Sequence, residues 1–228
     1  MKTGILEFVH RLISRPSLIG LGFFAALCVI VGAGRLESFD WSSMRFLQSF
    51  GSKGLDCFVA AFGYLGSAEL TGLAALFFAL TAYHRFGPAA ALAVIAAMAL
   101  GTVIELAAKL YLPQMPIPEG VHRFCRRSLP GGFVHLDTPN SFPSGHTFRS
   151  VFLFFLAARL WAPGSSSGRR IMAGAAWALS VLMAVSRVYI GDHWMSDVAG
   201  GFCLAWLACR WPLLENTALS KAQVKLVS

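Results

Sequence analysis

The sequence predicts an all-α, polytopic membrane protein: a six-transmembrane-helix bundle with a long outer loop between helices 3 and 4. Three observations predict it. Of 228 residues, 56% are hydrophobic and only 13% are charged, whereas soluble domains carry about 25% charged residues. Mean hydropathy is +0.63. The apolar residues also gather into runs near the roughly 20 residues that a helix needs to cross a bilayer core of about 30 Å. The same composition excludes a disordered or collagen-like chain, and five cysteines are too few for a disulfide framework. A single integral membrane domain over residues 1–228, with short cytoplasmic tails, is expected.

Taken in order, Pro16–Gly34 is free of charge and makes the first span. Basic residues precede it, as in a signal peptide. Its apolar run is too long for a signal core, however, and no small-x-small cleavage site follows, so an uncleaved span is expected. Cys57–Tyr83 contains only Glu69 and is long enough to tilt, or to begin as an interfacial segment. Phe86–Leu112 carries Glu105 and Lys109, and Ser141–Trp161 carries Arg149 and Arg159. Ile171–Ser186 is uncharged and extends toward Ile190, and His193–Leu213 carries Asp197 and Arg210. Between the third and fourth spans, Pro113–Asn140 holds five prolines and Gly131-Gly132, which forbid a continuous helix. A loop of this kind is usually a functional lid or disordered. Arg123, Arg126 and Arg127 make it a candidate anion-gripping lid; the alternative is a solvated basic loop touching lipid head groups.

The net charge of +8 comes from 19 basic against 11 acidic residues. Six spans put both termini on one side. If that side is the cytoplasm, the inner segments hold ten basic residues (Lys2, Arg11, Arg15, Arg85, Arg159, Arg169, Arg170, Arg210, Lys221, Lys225) against Glu7 and Glu215. The outer half then holds nine of each sign, with six of its cations (Lys109, Arg123, Arg126, Arg127, Arg149, Arg187) in one dense group. Set that group aside, and the positive-inside bias favours cytoplasmic termini. The excess charge is therefore an orientation signal, and nucleic acid is not expected as a partner. Cys57 and Cys125 both fall on the outer side, where a disulfide can form; Cys28, Cys203 and Cys209 lie within spans as packing residues.

Ionisable residues in or beside spans are costly and mark functional sites. Three such groups meet at one depth on the outer side. His193 and Asp197 are four apart, within contact range on one face of a helix. A carboxylate on one imidazole nitrogen fixes the tautomer and leaves the other nitrogen as a nucleophile or base; the bland alternative is a pair that only caps a helix. Arg187 can bring a planar fork suited to phosphate. Pro143-Ser144-Gly145-His146 has the pattern of a helix start, where free N–H groups, the helix dipole and the Ser144 hydroxyl make an anion site. His146 could give a proton to a leaving oxygen, Arg149 shares its face, and Gly145 lets an anion reach the backbone. Glu105 and Lys109 form the third group. Two histidines, a carboxylate, a helix N-terminus and several cations suit phosphoryl transfer, which needs a nucleophile, an acid for the leaving group and charge stabilisation.

Pro143-Ser144-Gly145-His146 and Ser186-Arg187-(five residues)-His193-(three residues)-Asp197 resemble the second and third signature motifs of the type 2 phosphatidic acid phosphatase superfamily. They occur in that family's order, followed by Gly200-Gly201, and the resemblance covers a phosphatase-like core of about residues 56–212. It implies a six-helix membrane fold and a metal-independent phosphatase with no cofactor. His193 would attack phosphorus to give a phosphohistidine, oriented by Asp197, and His146 would protonate the leaving group and then activate water. Lys109, Arg187, Ser144, Gly145 and Arg149 would bind the phosphate. The implied substrate is a phosphomonoester or diphosphate lipid, undecaprenyl diphosphate among them, hydrolysed on the extracytoplasmic side of a bacterial inner membrane. The first motif departs from the family: Lys109 is present, but where Arg-Pro is expected the chain reads Gln114-Met115-Pro116-Ile117. Arg149, or one of the loop arginines, could replace the missing cation.

Other readings remain open at this point. A lipid phosphotransferase could pass the phosphoryl or head group to an acceptor lipid, and a noncatalytic phospholipid-binding or transport protein could use the same polar face. A metal site would draw on His146, His193 and Asp197 with His122, Cys125 or His135. The adjacent cations oppose it and a third ligand at set spacing is missing. A serine hydrolase would need a Gly-x-Ser-x-Gly elbow, which Ser144 lacks.

Overall fold

Serine caps and glycine–proline breaks set where the helices begin and end. The computed structural model describes residues 15–123, 125, 138–162 and 164–210. Among these the fold is all-helical, with eight α-helices: α1 (Arg15–Gly32), α2 (Glu37–Gln48), α3 (Lys53–Tyr64), α4 (Ala68–Phe86), α5 (Pro88–Tyr111), α6 (Gly145–Leu160), α7 (Ser166–Ile190) and α8 (Met195–Cys209). Ser52, Ser67, Ser144 and Ser165 each cap a helix by accepting an N–H three residues on. Gly87, at φ 90, ends α4 and hands over to Pro88 at the first turn of α5. The carboxy-terminal glycine and amino-terminal proline thus make a tight reversal.

Two helices, α5 and α7, are long and apolar enough to cross a membrane by themselves. Two bent pairs pass the same test together: α1 with α2, turned by 93°, and α3 with α4, turned by 44°. Where one span was expected over Cys57–Tyr83, the chain therefore breaks at Leu65–Ser67. The α7 helix is longer than the expected Ile171–Ser186, reaching from Ser166 to Ile190. The shorter helices are α6, with 16 residues, and α8, an apolar helix of 15.

The main core joins α1, α4, α5, α6 and α8 around Phe142, Phe148, Phe152, Val94 and Leu204. Small residues allow close approach, with Ala75, Ala79 and Ala82 of α4 and Ala90, Ala93 and Ala97 of α5 all buried. A Cβ at Gly101 would lie 2.0 Å from the Phe148 ring, so α5 can meet α6 there only as glycine. The outward faces carry Leu18, Phe23, Leu73, Phe77, Leu92, Val103 and Val181, all exposed. An apolar belt of this size, on helices of spanning length, faces lipid. The protein is an integral membrane protein. By contrast, α2 lies across the end of the bundle, burying Asp40 and Met44 and exposing Phe39 and Phe46. Met44 packs with Ala184, Val188, Trp194 and Val198.

Candidate active site

The site forms where α5 ends, α6 and α8 begin, and α3 runs past the end of α7. His193 does not lie on a helix with Asp197, contrary to the expected same-face pairing. It precedes α8, and Trp194 is the N-cap. The Asp197 side chain reaches back across the helix start, so that Oδ2 accepts the Trp194 N–H at 2.9 Å and lies 3.1 Å from His193 Nδ1. The four-residue spacing is thus a capping geometry. It places the carboxylate on one imidazole nitrogen, Nδ1, the contact that the sequence suggested. His193 is 7% exposed and Asp197 is fully buried.

His146 stands in the first turn of α6, its ring centroid 6.4 Å from that of His193 and inclined at 59°. Its Nε2 is buried and has no hydrogen-bond partner among the described residues. Buried polar atoms are almost always satisfied, and an orphan at a site is a place for a ligand, a water or a transferred proton. Gly66, in the break between α3 and α4, makes room for this imidazole: a Cβ there would sit 3.0 Å from His146 Cδ2.

Arg187 is 2% exposed. Its guanidinium donates to Asp192 Oδ2 at 3.2 Å and to the Val59 carbonyl at 3.3 Å, and Nε donates to Ser186 Oγ at 3.2 Å. It lies flat against α3 because residue 63 is glycine. The carboxylate of Glu105 takes Lys109 Nζ on one oxygen and Arg149 Nη1 on the other, each at 2.9 Å. Arg149 therefore lies beside Lys109, with both cations paired to the one Glu105 carboxylate. An ideal Cβ at Gly145 would meet Glu105 Oε1 at 2.0 Å. The anion that approaches the backbone at Gly145 in this structure is thus the Glu105 carboxylate. Ser144 is also buried, and its Oγ accepts from the Thr147 N–H and hydroxyl, so the hydroxyl caps α6 and does not open toward the histidines.

Of the loop arginines, Arg123 is paired with Asp56 at 2.9 Å, and Asp56 also accepts the Tyr189 hydroxyl at 2.6 Å. The hydrogen bond that Arg123 donates to the Asp56 carboxylate raises the guanidinium above its ordinary value. Cys57 and Cys125 form a disulfide with Cα atoms 4.9 Å apart. This places one residue of the alternative metal set in a covalent bridge. Arg126, Arg127 and His135 lie outside the described residues. Four participants carried no sequence signal strong enough to single them out. They are Gln114, which donates to Asp197 Oδ1 at 2.6 Å, Asp192, Gly63 and Asp40. Asp40 holds the N-terminus of α8 by accepting the Ser196 N–H and hydroxyl. Burial pushes its carboxyl above the ordinary value, opposed by those Ser196 donors.

The fold and site define a helical membrane protein with a His–Asp pair beside a second histidine, surrounded by cationic side chains. Residues 86–215, more than half of the chain, match the PAP2 superfamily, and the chain belongs to that family. It is 39% identical over 79 residues to phosphatidylglycerophosphatase B of Bacillus subtilis (strain 168), covering 32% of this chain and 37% of that protein. It is 36% identical over 80 residues to a putative undecaprenyl-diphosphatase of Escherichia coli (strain K12), covering 34% of this chain and 35% of that protein. The alignments thus span little more than a third of these curated relatives. The fold is similar to a crystal structure of a transmembrane PAP2 type phosphatidylglycerolphosphate phosphatase from Bacillus subtilis. That similarity has a TM-score of 0.67 at 20% identity, over 87% of this chain and 94% of that one.

Proposed function

We propose that this chain is a membrane-embedded lipid phosphatase that hydrolyses a phosphomonoester or diphosphate lipid at the outer leaflet through a phosphohistidine. The observation that carries the reading is the pair of imidazoles: His193 fixed on Asp197, with the His146 ring 6.4 Å away and its buried Nε2 without a hydrogen-bond partner among the described residues. His193 Nε2 attacks phosphorus, forming an N–P bond as the P–O bond to the lipid breaks. His146 gives its proton to the departing oxygen. Water then attacks phosphorus and passes a proton back to His146; the N–P bond breaks and inorganic phosphate leaves. Arg187, Lys109 and Arg149 balance charge on the phosphoryl oxygens, with the Gly145 N–H at the start of α6. Ser144 contributes by holding that helix start.

In this reading the whole chain is one membrane domain with six crossings: α1, the α3–α4 pair, α5, α6, α7 and α8. At about 1.5 Å per residue, α6 and α8 are shorter than a bilayer core of about 30 Å. Their recessed amino-terminal ends set the histidines below the outer membrane surface, where a lipid head group can enter sideways. Both termini are cytoplasmic. The assay is release of inorganic phosphate by the purified protein from phosphatidic acid, phosphatidylglycerophosphate and undecaprenyl diphosphate, with and without an acceptor lipid. Phosphate release is expected from at least one of them. His193→Ala should abolish it, and His146→Ala should lower it by about a hundred- to ten-thousand-fold. Transfer to the acceptor in place of phosphate release would make the protein a transferase. Unchanged function in both histidine variants would make it a noncatalytic binder.

A further inference from the structure

Gln114 occupies the stretch where the first signature motif is broken, and its side chain is the hub of the site. The Asp197 carboxylate has two oxygens with distinct neighbours. Oδ2 serves His193 and the Trp194 N–H, while Oδ1 accepts Gln114 Nε2 at 2.6 Å. The other end of the same amide, Oε1, accepts the Phe142 N–H at 3.0 Å, the Ser141 hydroxyl at 2.9 Å and the Ser141 N–H at 3.3 Å. Two backbone donors can face only an oxygen, so the amide cannot be turned around and its NH2 must face the carboxylate. The backbone of Gln114 is fixed as well. Its N–H donates to Asn140 Oδ1 at 3.1 Å, and Asn140 Nδ2 donates to the Lys109 carbonyl at 3.0 Å. A further link, from the Ser144 N–H to the Asp197 carbonyl at 2.9 Å, joins the starts of α6 and α8 directly.

We infer that Gln114 is a positioning residue for the proposed phosphoryl transfer. It locks the Asp197 carboxylate in the one orientation that presents His193 Nε2 to phosphorus, and it ties that orientation to the segment carrying His146. Without it, Asp197 loses its only side-chain donor other than His193 among the described residues. The carboxylate can then rotate about its terminal torsion, which has a broad energy profile. A neutral amide suits the place. An arginine there would form an ion pair with Asp197 and compete with the imidazole for its charge, whereas an amide donates a single hydrogen and leaves the charge to His193.

The inference rests on the hydrolytic reading, and the test separates the two. Gln114→Ala and Gln114→Glu are compared with the unaltered protein for kcat, KM and pH profile of lipid phosphate hydrolysis, each normalised to folded protein. Gln114→Ala should lower kcat by about 10–100-fold with little change in KM. Gln114→Glu should be active while the introduced carboxyl is protonated, because it then donates to Asp197 as the amide does. It should lose activity on deprotonation, when two carboxylates face each other. This adds an alkaline limb that the unaltered protein lacks, which a purely structural role would not produce. Histidine 15N spectra give a readout that needs no turnover: a single Nδ1–H tautomer for His193 in the unaltered protein, and both tautomers in Gln114→Ala. A locked tautomer that depends on Gln114, in a protein that hydrolyses no lipid phosphate, sinks the hydrolytic reading and leaves the positioning role standing. Unchanged tautomer and unchanged pH profile in both variants overturn the positioning role.

Discussion

The site depends on what glycine leaves out at two residues. An ideal Cβ on Gly63 would fall 1.5 Å from Arg187 Nη2, and one on Gly145 would fall 2.0 Å from Glu105 Oε1. In both cases the obstructed atom is the end of a side chain, which can swing aside. The fold therefore survives and the geometry of the site does not. Gly63→Ala is expected to leave thermal stability nearly unchanged, while displacing the guanidinium lowers kcat by about a hundred- to a thousand-fold, the usual cost of losing one charge-stabilising donor. Phosphate release measured beside a thermal melt checks both halves, and a variant that melts early without losing specific activity would contradict the argument. Glu105 shows the same economy at the level of charge. One buried carboxylate, 4% exposed, keeps Lys109 and Arg149 together beside the start of α6, where a bare pair of like charges would repel.

Among the elements, the start of α8 carries the most constraints. Asp197 caps it from within, Ser144 of the α6 start donates to the Asp197 carbonyl, and Asp40 of α2 accepts the Ser196 N–H at 2.8 Å and its hydroxyl at 2.7 Å. The amphipathic α2 thereby becomes a brace for the turn that carries His193, and Asp40→Ala removes two hydrogen bonds to a charged group. Loss of about 2–5 kcal/mol of stability is expected if each is worth about 1.5–3 kcal/mol and part is recovered by water; denaturant titration in detergent measures it. The sequence made the helices legible, because apolar runs of spanning length are a local signal, and motif spacing brought His146, His193, Asp197 and Arg187 together. It did not reveal the brace or the hub. Gln114 and Asp197 are 83 residues apart, and Asp40 and Ser196 are 156 apart. Neither pair leaves a trace in periodicity, and Gln114 registered only as part of the stretch in which the expected Arg-Pro is missing. The break at Leu65–Ser67 was less legible: the apolar runs on either side of Gly66-Ser67 together have the length of one span, while Ser67 caps the second helix and Gly66 packs against His146.

At the scale of the whole molecule, two independent features agree on orientation. Among the described residues, Arg85, Arg159, Arg169, Arg170 and Arg210 lie at the helix ends remote from the histidines; the half that holds the histidines carries every described carboxylate and, apart from Lys109, Arg123, Arg149 and Arg187 around the site, only Arg35, Arg45 and Lys53 as cations. Basic residues near span ends favour the cytoplasm, so with the cations of the site set aside this distribution supports the proposed cytoplasmic placement of the remote end. The Cys57–Cys125 disulfide lies at the opposite end, where α3 begins, and disulfides persist in oxidising compartments outside the cytoplasm. Charge and redox chemistry thus support the proposed extracytoplasmic side of the site by unrelated physics. The consequence can be read with reporters inserted in the turns. A fluorescent protein that matures only in the cytoplasm should be bright when inserted at Gly164, between α6 and α7, and dark at Gly51, between α2 and α3. A secreted phosphatase reporter, active only after export and disulfide formation, should give the reverse pattern. Because α6 and α7 are adjacent in sequence and packed together, the Gly164 insertion reports the orientation of the helix that carries His146. A bright fluorescent reporter at Gly51 with a dark one at Gly164 would invert the protein and put the histidines on the cytoplasmic leaflet.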